Sequence, residues 1–186
     1  MIIRLFQEKD LDQVLNLFYD TVHQVNVRDY TTEQLDVWAP RFPNQEKWLN
    51  KLLESYCLVV EKDNKIIGFS NIYPHGQLDC LYVHYQYIHQ GIGKLLLQSL
   101  EAYAISQNEE KIFVDVSLTA LEMFKHFNYQ IIEKQNVERK GIILVNYKMV
   151  KVLKTVNFED NWCDNFLCYG IILLRNYKYY QDYLNF

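Results

Sequence analysis

Apolar positions along this chain recur with two periods, and the switches between them predict its elements. Residues 2–6 form a short apolar run that reads as a strand. Asp10 then precedes Leu11, Val14, Leu15, Phe18 and Val22, which share one helical face. A second helix is expected from Thr31 and Thr32 to just before Pro40, and a third from about Asn44 through Trp48, Leu52 and Leu53. Tyr56–Lys62 and Lys65–Tyr73 read as strands around Asp63-Asn64, a hairpin pair that tolerates positive φ. Residues 78–84 form a third extended run, followed by a helix from about Gly91 to Gln107 and a strand over 111–116. Thr119 and Glu122 have capping-box spacing, with Leu118 and Met123 placed as a hydrophobic staple, for a helix that Asn128 closes in the left-handed conformation. Two last strands, 129–138 and 142–150, are joined by Arg139-Lys140-Gly141. Hairpins mixed with helical crossovers predict an α+β (α/β) domain over residues 1–154, with a mixed, mostly antiparallel sheet flanked by helices.

Residues 155–186 differ. Phe158, Trp162, Phe166, Tyr169, Leu173, Tyr177, Tyr180 and Leu184 make a helical aromatic stripe, interrupted at Gly170. This extension is expected to dock on the body of its own chain, with a second subunit of a homodimer as the other surface. Composition narrows the function classes. The 186 residues, 49% hydrophobic with a net charge of −4, describe a soluble globular protein. That acidity argues against nucleic acid as partner. Gln7, Glu8, Lys9 and Asp10 follow too soon after Met1 for a secretory signal, and the longest apolar stretch is far shorter than the ~20 residues of a membrane span. Cys57, Cys80, Cys163 and Cys168 form no CxxC pair and the histidines no HxxxH, so a reducing cytoplasm and no metal site are expected.

One segment carries chemistry: Leu81-Tyr82-Val83-His84-Tyr85-Gln86-Tyr87-Ile88-His89-Gln90-Gly91-Ile92-Gly93-Lys94. A strand runs through a loop into Gly-x-Gly and then an amphipathic helix. Free N–H groups and the positive end of the helix dipole favour a phosphate there, and Lys94 adds a cation. Leu96 denies the third glycine of a dinucleotide-binding fingerprint, and Ile88 and Leu95 deny a P-loop.

With Asp29-Tyr30-Thr31-Thr32-Glu33-Gln34-Leu35-Asp36-Val37-Trp38-Ala39-Pro40, Ile67-Gly68-Phe69, the segment above and the residues from Asp115 to Tyr129, the chain resembles the GNAT N-acetyltransferase superfamily in its bacterial YafP-like branch, over about residues 1–151. The resemblance implies acetyl-CoA as cosubstrate, held in a cleft between two splayed strands. Leu81, Tyr82 and Val83 would hold the thioester and pantetheine; Ile88, His89, Gln90, Gly91, Ile92, Gly93 and Lys94 would hold the pyrophosphate. It also implies transfer to a primary amine, of a small molecule or of a peptide or protein. Three positions depart from the pattern, His89 at a place that is often glycine among them. Ile88 stands where relatives carry Gln or Arg, and Phe124 stands where many carry the tyrosine that protonates the leaving thiolate.

Direct attack by an amine needs a base within hydrogen-bond reach. Asp79 is the candidate, on one face with Gln77 and Leu81 by period-two spacing; the alternative is that a tyrosine or lysine pairs with it. Tyr30, Trp38, Tyr73 and His75 are candidate acceptor-pocket residues, suited to a small cationic amine. A GNAT-fold module that binds CoA or a partner with little catalysis is the rival reading, favoured by Ile88 and Phe124. An acetyltransferase acting on aminoacyl-tRNA is a second, opposed by the acidity.

Overall fold

The computed structural model describes residues 1–153, so the aromatic extension lies outside the described residues. Strands β1 (Ile2–Leu5), β2 (Tyr56–Lys62), β3 (Lys65–Tyr73), β4 (Gln77–Val83), β5 (Lys111–Ser117), β6 (Gln130–Arg139) and β7 (Ile142–Val152) form one sheet in the order β1-β2-β3-β4-β5-β7-β6. All neighbours are antiparallel except β4 and β5. Helices α1 (Leu11–Val25), α2 (Thr32–Trp38) and α3 (Gln45–Leu53) cover one face, where Val14, Phe18, Leu35 and Leu52 pack on Val59, Phe69 and Cys80. Helices α4 (Ile92–Ser106) and α5 (Leu121–His126) cover the other, where Leu96, Leu97, Leu100 and Phe124 pack on Val60, Ile67, Ile112 and Met149.

Local chemistry explains most boundaries. Asp63 and Asn64 turn the β2–β3 hairpin at φ 52° and 61°, and Asn128 closes α5 at φ 65°, as expected. The Thr119–Glu122 capping box does not form. The Thr119 hydroxyl instead donates to Asp29 at 2.7 Å, Ala120 is the N-cap of α5, and the Ala120 amide is bonded by Ser117. The reciprocal box sits at α2, where the Gln34 amide donates to Thr31 Oγ1 and the Thr31 amide donates to Gln34 Oε1.

The parallel pair depends on Gly76, just before β4. Its φ is +71°, and an added Cβ would fall 2.0 Å from the Lys111 carbonyl oxygen at the start of β5. Gly76→Ala is therefore expected to cost about 3 kcal/mol or more, summing left-handed strain and overpacking against an immovable backbone atom. A urea melt reads that loss.

A second anchor joins β1 to the start of α1. Arg4 donates to both carboxylate oxygens of Asp10 at 2.6 and 2.9 Å and to Glu61 at 2.8 Å, while the Gln7 amide donates to Asp10 at 2.9 Å. Burial pushes the Asp10 carboxyl up, but the Arg4 and Gln7 bonds outweigh it and hold it below its ordinary value. A depressed carboxyl contributes stability that is complete above its unfolded value, about 4, and is lost as pH falls through the folded one. Asp10→Asn is expected to cost about 2 kcal/mol at pH 7 and to flatten the further loss below about pH 4. Urea midpoints at pH 7 and pH 3 check both.

Candidate active site

β4 and β5 touch at two positions, Gln77 with Phe113 and Leu78 with Val114. Beyond them residues 79–83 of β4 have no β5 partner, and the strands diverge. A parallel pair that opens this way leaves alternate backbone N–H and C=O groups of both strands facing a gap. The opening begins at a bulge. On the β3 side Asn71 pairs with Cys80 and Ile72 with Leu78, so Asp79 is the extra residue. The bulge resets the alternation: Leu78, Leu81 and Val83 pack on the α4 face, whereas Cys80 and Tyr82 join the α1–α3 face. Asp79 is directed toward α3 and does not share a face with Leu81, which corrects the period-two expectation.

The loop after β4 is built to expose amides. His84 closes a one-turn 3-10 helix, its Nδ1 accepting from the Gln86 amide at 3.2 Å and its carbonyl accepting from the Tyr87 amide at 2.8 Å. Ile88 is extended, His89 is left-handed at φ 61°, and Gly91 caps α4 at φ 80°. Ile92 is 1% exposed and roots the helix in the core. An added Cβ at Gly93 would lie 3.7–3.8 Å from Val83 and Leu81, so the first turn of α4 rests on the open end of β4. At Gly91 an added Cβ would meet nothing within 4 Å, so the backbone there is open on its outer side. The unpaired first-turn amides and the positive dipole end of a fifteen-residue helix thus point at open space beside the splay. Lys94, His89 and Gln90 are exposed around it.

On the α3 side Asp79 has company. Lys51 Nζ lies 2.8 Å from Asp79 Oδ2, and Asn71 Nδ2 donates to the same oxygen at 3.3 Å. A lysine thus pairs with Asp79, but the pair is not buried: both side chains stay partly exposed. Burial opposes the Lys51 charge, but its anionic surroundings win and raise it above the ordinary lysine value. Lys51 Nζ also sits 4.7 Å over the Trp48 ring, and the Tyr73 hydroxyl donates to the Lys51 carbonyl at 3.0 Å. Asn71 is fully buried; its Nδ2 also reaches Ser55, but its Oδ1 has no partner among the described residues.

Of the acceptor-pocket candidates, Tyr73 is thus brought to Asp79. His75 is not: it lies in the turn before β4, beyond the closed end of the splay, with its amide donating to Glu109. Tyr30 is 6% exposed and donates its hydroxyl proton to the Val145 carbonyl at 2.6 Å while accepting from the Leu118 amide at 2.9 Å, so it braces β5 to β7. Trp38 packs edge-on to Tyr30. Burial pushes the Tyr82 phenol well above its ordinary value, against hydrogen bonding from Trp38 and the charge of Arg139. Phe124 is 3% exposed against Tyr129 and carries no proton to donate. Burial pushes the Cys57 thiol up to about 12 and the Cys80 thiol higher still, so neither is a nucleophile at neutral pH. No group of three His, Cys, Asp or Glu side chains fit to hold a metal occurs among the described residues.

Sequence reading missed Lys51, Asn71 and the bulge. Asn71 had a signal, as a polar residue inside the apolar run of β3; Lys51 had none, reading as one more surface lysine of an amphipathic helix.

A mostly antiparallel sheet with one splayed parallel pair, and a helix N-terminus at its open end, defines an acyltransferase class. The Acetyltransferase (GNAT) domain matches residues 26–151, and the chain belongs to that family of N-acetyltransferases. It is 28% identical over 147 residues, 79% of this chain and 93% of the relative, to the uncharacterized N-acetyltransferase YafP of Escherichia coli K12, consistent with the expected branch. A GCN5-related N-acetyltransferase structure from Rhodopseudomonas palustris matches with a TM-score of 0.79 at 26% identity, covering 82% of this chain and 95% of that one. The fold is shared with a PaiA N-acetyltransferase from Thermoplasma acidophilum solved with coenzyme A, at a TM-score of 0.66 and 18% identity, over 81% and 98% of the two chains.

Proposed function

We propose that this chain transfers an acetyl group from acetyl-CoA to a primary amine by direct attack, with Asp79 as general base. The observation that carries the reading is the two-position β4–β5 pairing that opens directly beneath the Gly91 cap of α4. Those residues fit the cosubstrate: the amides of residues 88–94 and Lys94 suit a pyrophosphate, and the gap along Leu81, Tyr82 and Val83 suits an extended pantetheine arm. Bound acetyl-CoA supplies an activated acyl group. Asp79, at the closed end of the gap, takes the proton from the acceptor amine; the unpaired β4 amides steady the acyl oxygen as charge gathers on it. The raised thiols of Cys57 and Cys80 support direct attack over an acyl-cysteine route. With Phe124 in the tyrosine position, water delivers the proton to the leaving thiolate.

A CoA-binding module with weak catalysis is the second reading, favoured by the Phe124 ring and by the Lys51 ammonium on Asp79. Thiol release from acetyl-CoA across amines, amino acids and peptides, beside calorimetric titration of acetyl-CoA, separates them. Binding with acceptor-dependent thiol release supports the enzyme. Binding without release for every acceptor supports the module, and no binding by folded protein overturns both.

A further inference from the structure

We infer that the acceptor carries a carboxylate beside its amine, as an α-amino acid does, and that Lys51 is the residue that reads it; this rests on the acetyltransferase reading above and deepens it. The expectation of a small cationic amine assumed a lone carboxylate. In the structure the charge of Asp79 is matched by Lys51 at 2.8 Å, so a simple cation meets no net attraction there. What the cluster does offer is a matched set of open valences. An ammonium has three donors, and Lys51 spends one on Asp79 Oδ2. Asp79 Oδ1 accepts nothing among the described residues, and Asn71 Oδ1, on the amide that holds Asp79, is buried without a partner. Both charged side chains keep more than a quarter of their surface, 29% for Lys51 and 28% for Asp79, so a ligand can reach them.

Donors and acceptors in adjacent pairs are the complement of a zwitterion. An amino group gives to Asp79 Oδ1 while the neighbouring carboxylate takes the free Lys51 protons, a charge-assisted contact. With its carboxylate already matched by a cation, this cluster favours an acceptor that brings an anion with its amine.

The test pairs acceptors that differ only in the α-carboxylate, such as phenylalanine with phenethylamine, methionine with 3-methylthiopropylamine and lysine with cadaverine. Each is assayed by thiol release with acetyl-CoA and by calorimetric titration into full-length protein saturated with CoA. In at least one pair the amino acid is expected to win by about tenfold or more in kcat/KM or in Kd. Lys51→Met should erase that preference, Lys51→Arg should keep most of it, and acetyl-CoA affinity should stay unchanged in both. Equal or better use of the carboxylate-free amine in every pair overturns the inference, as does a preference that survives Lys51→Met or an absence of binding by any amino acid at millimolar concentration. If Lys51→Met fails to fold by circular dichroism, the wild-type pairs still decide. Absence of thiol release would count against the enzyme reading, while the titrations would still decide the acceptor class.

Discussion

Asp79→Asn is expected to lower kcat with the best acceptor by about a hundredfold or more, the range a positioned general base supplies, while acetyl-CoA affinity holds. The two effects separate because the bulge directs Asp79 to the α3 face, away from the loop over residues 88–94. Asparagine keeps the shape and can still accept from Lys51, but it cannot take a proton. The loss should fall on acceptor turnover with the KM for acetyl-CoA unchanged, which a merely structural carboxylate would not cause. Stability should fall by about 1 kcal/mol, since both partners of the lost ion pair are partly solvated. Activity unchanged from wild type would remove Asp79 from the reaction.

Gly91→Asp is expected to weaken acetyl-CoA binding by about a hundredfold or more, because it puts a carboxylate against the phosphates where the helix dipole and open amides favour negative charge. The fold should persist. Nothing lies within 4 Å of an added Cβ, and aspartate is among the side chains that tolerate φ near +80°, so the strain is about 1 kcal/mol. On a chain of this size that lowers Tm by roughly 2–4 °C. Calorimetry and a thermal melt on one sample measure both numbers. Gly76→Ala provides the contrast: it should unfold the protein readily through the Lys111 clash while making no contact with the cofactor loop.

Every strand and helix expected within residues 1–153 is present, with ends moved by a few residues, because each carries its own periodicity and turn chemistry. The Gly-x-Gly at the start of α4 was legible for the same reason. Its work is backbone work, announced by residues adjacent in sequence. Direction and pairing across the sheet were not. One extra residue in β4 reversed the face of Asp79, and nothing in Gln77-Leu78-Asp79-Cys80-Leu81 marks which residue bulges. The Thr119 hydroxyl went to Asp29, ninety positions away, over its own helix. Lys51 reached Asp79 from another element for the same physical reason: side chains choose partners in three dimensions, and a spacing rule sees only one.

Amide hydrogen exchange of the full chain with and without acetyl-CoA tests the central claim most directly, since it reports where the cosubstrate sits. Slowed exchange is predicted in peptides covering residues 81–94 and in 115–117, the two walls of the splay and the loop above it, with β1, β2 and α1 unchanged. Saturating acetyl-CoA that leaves residues 81–94 unprotected, or protects another part of the sheet instead, would contradict the account.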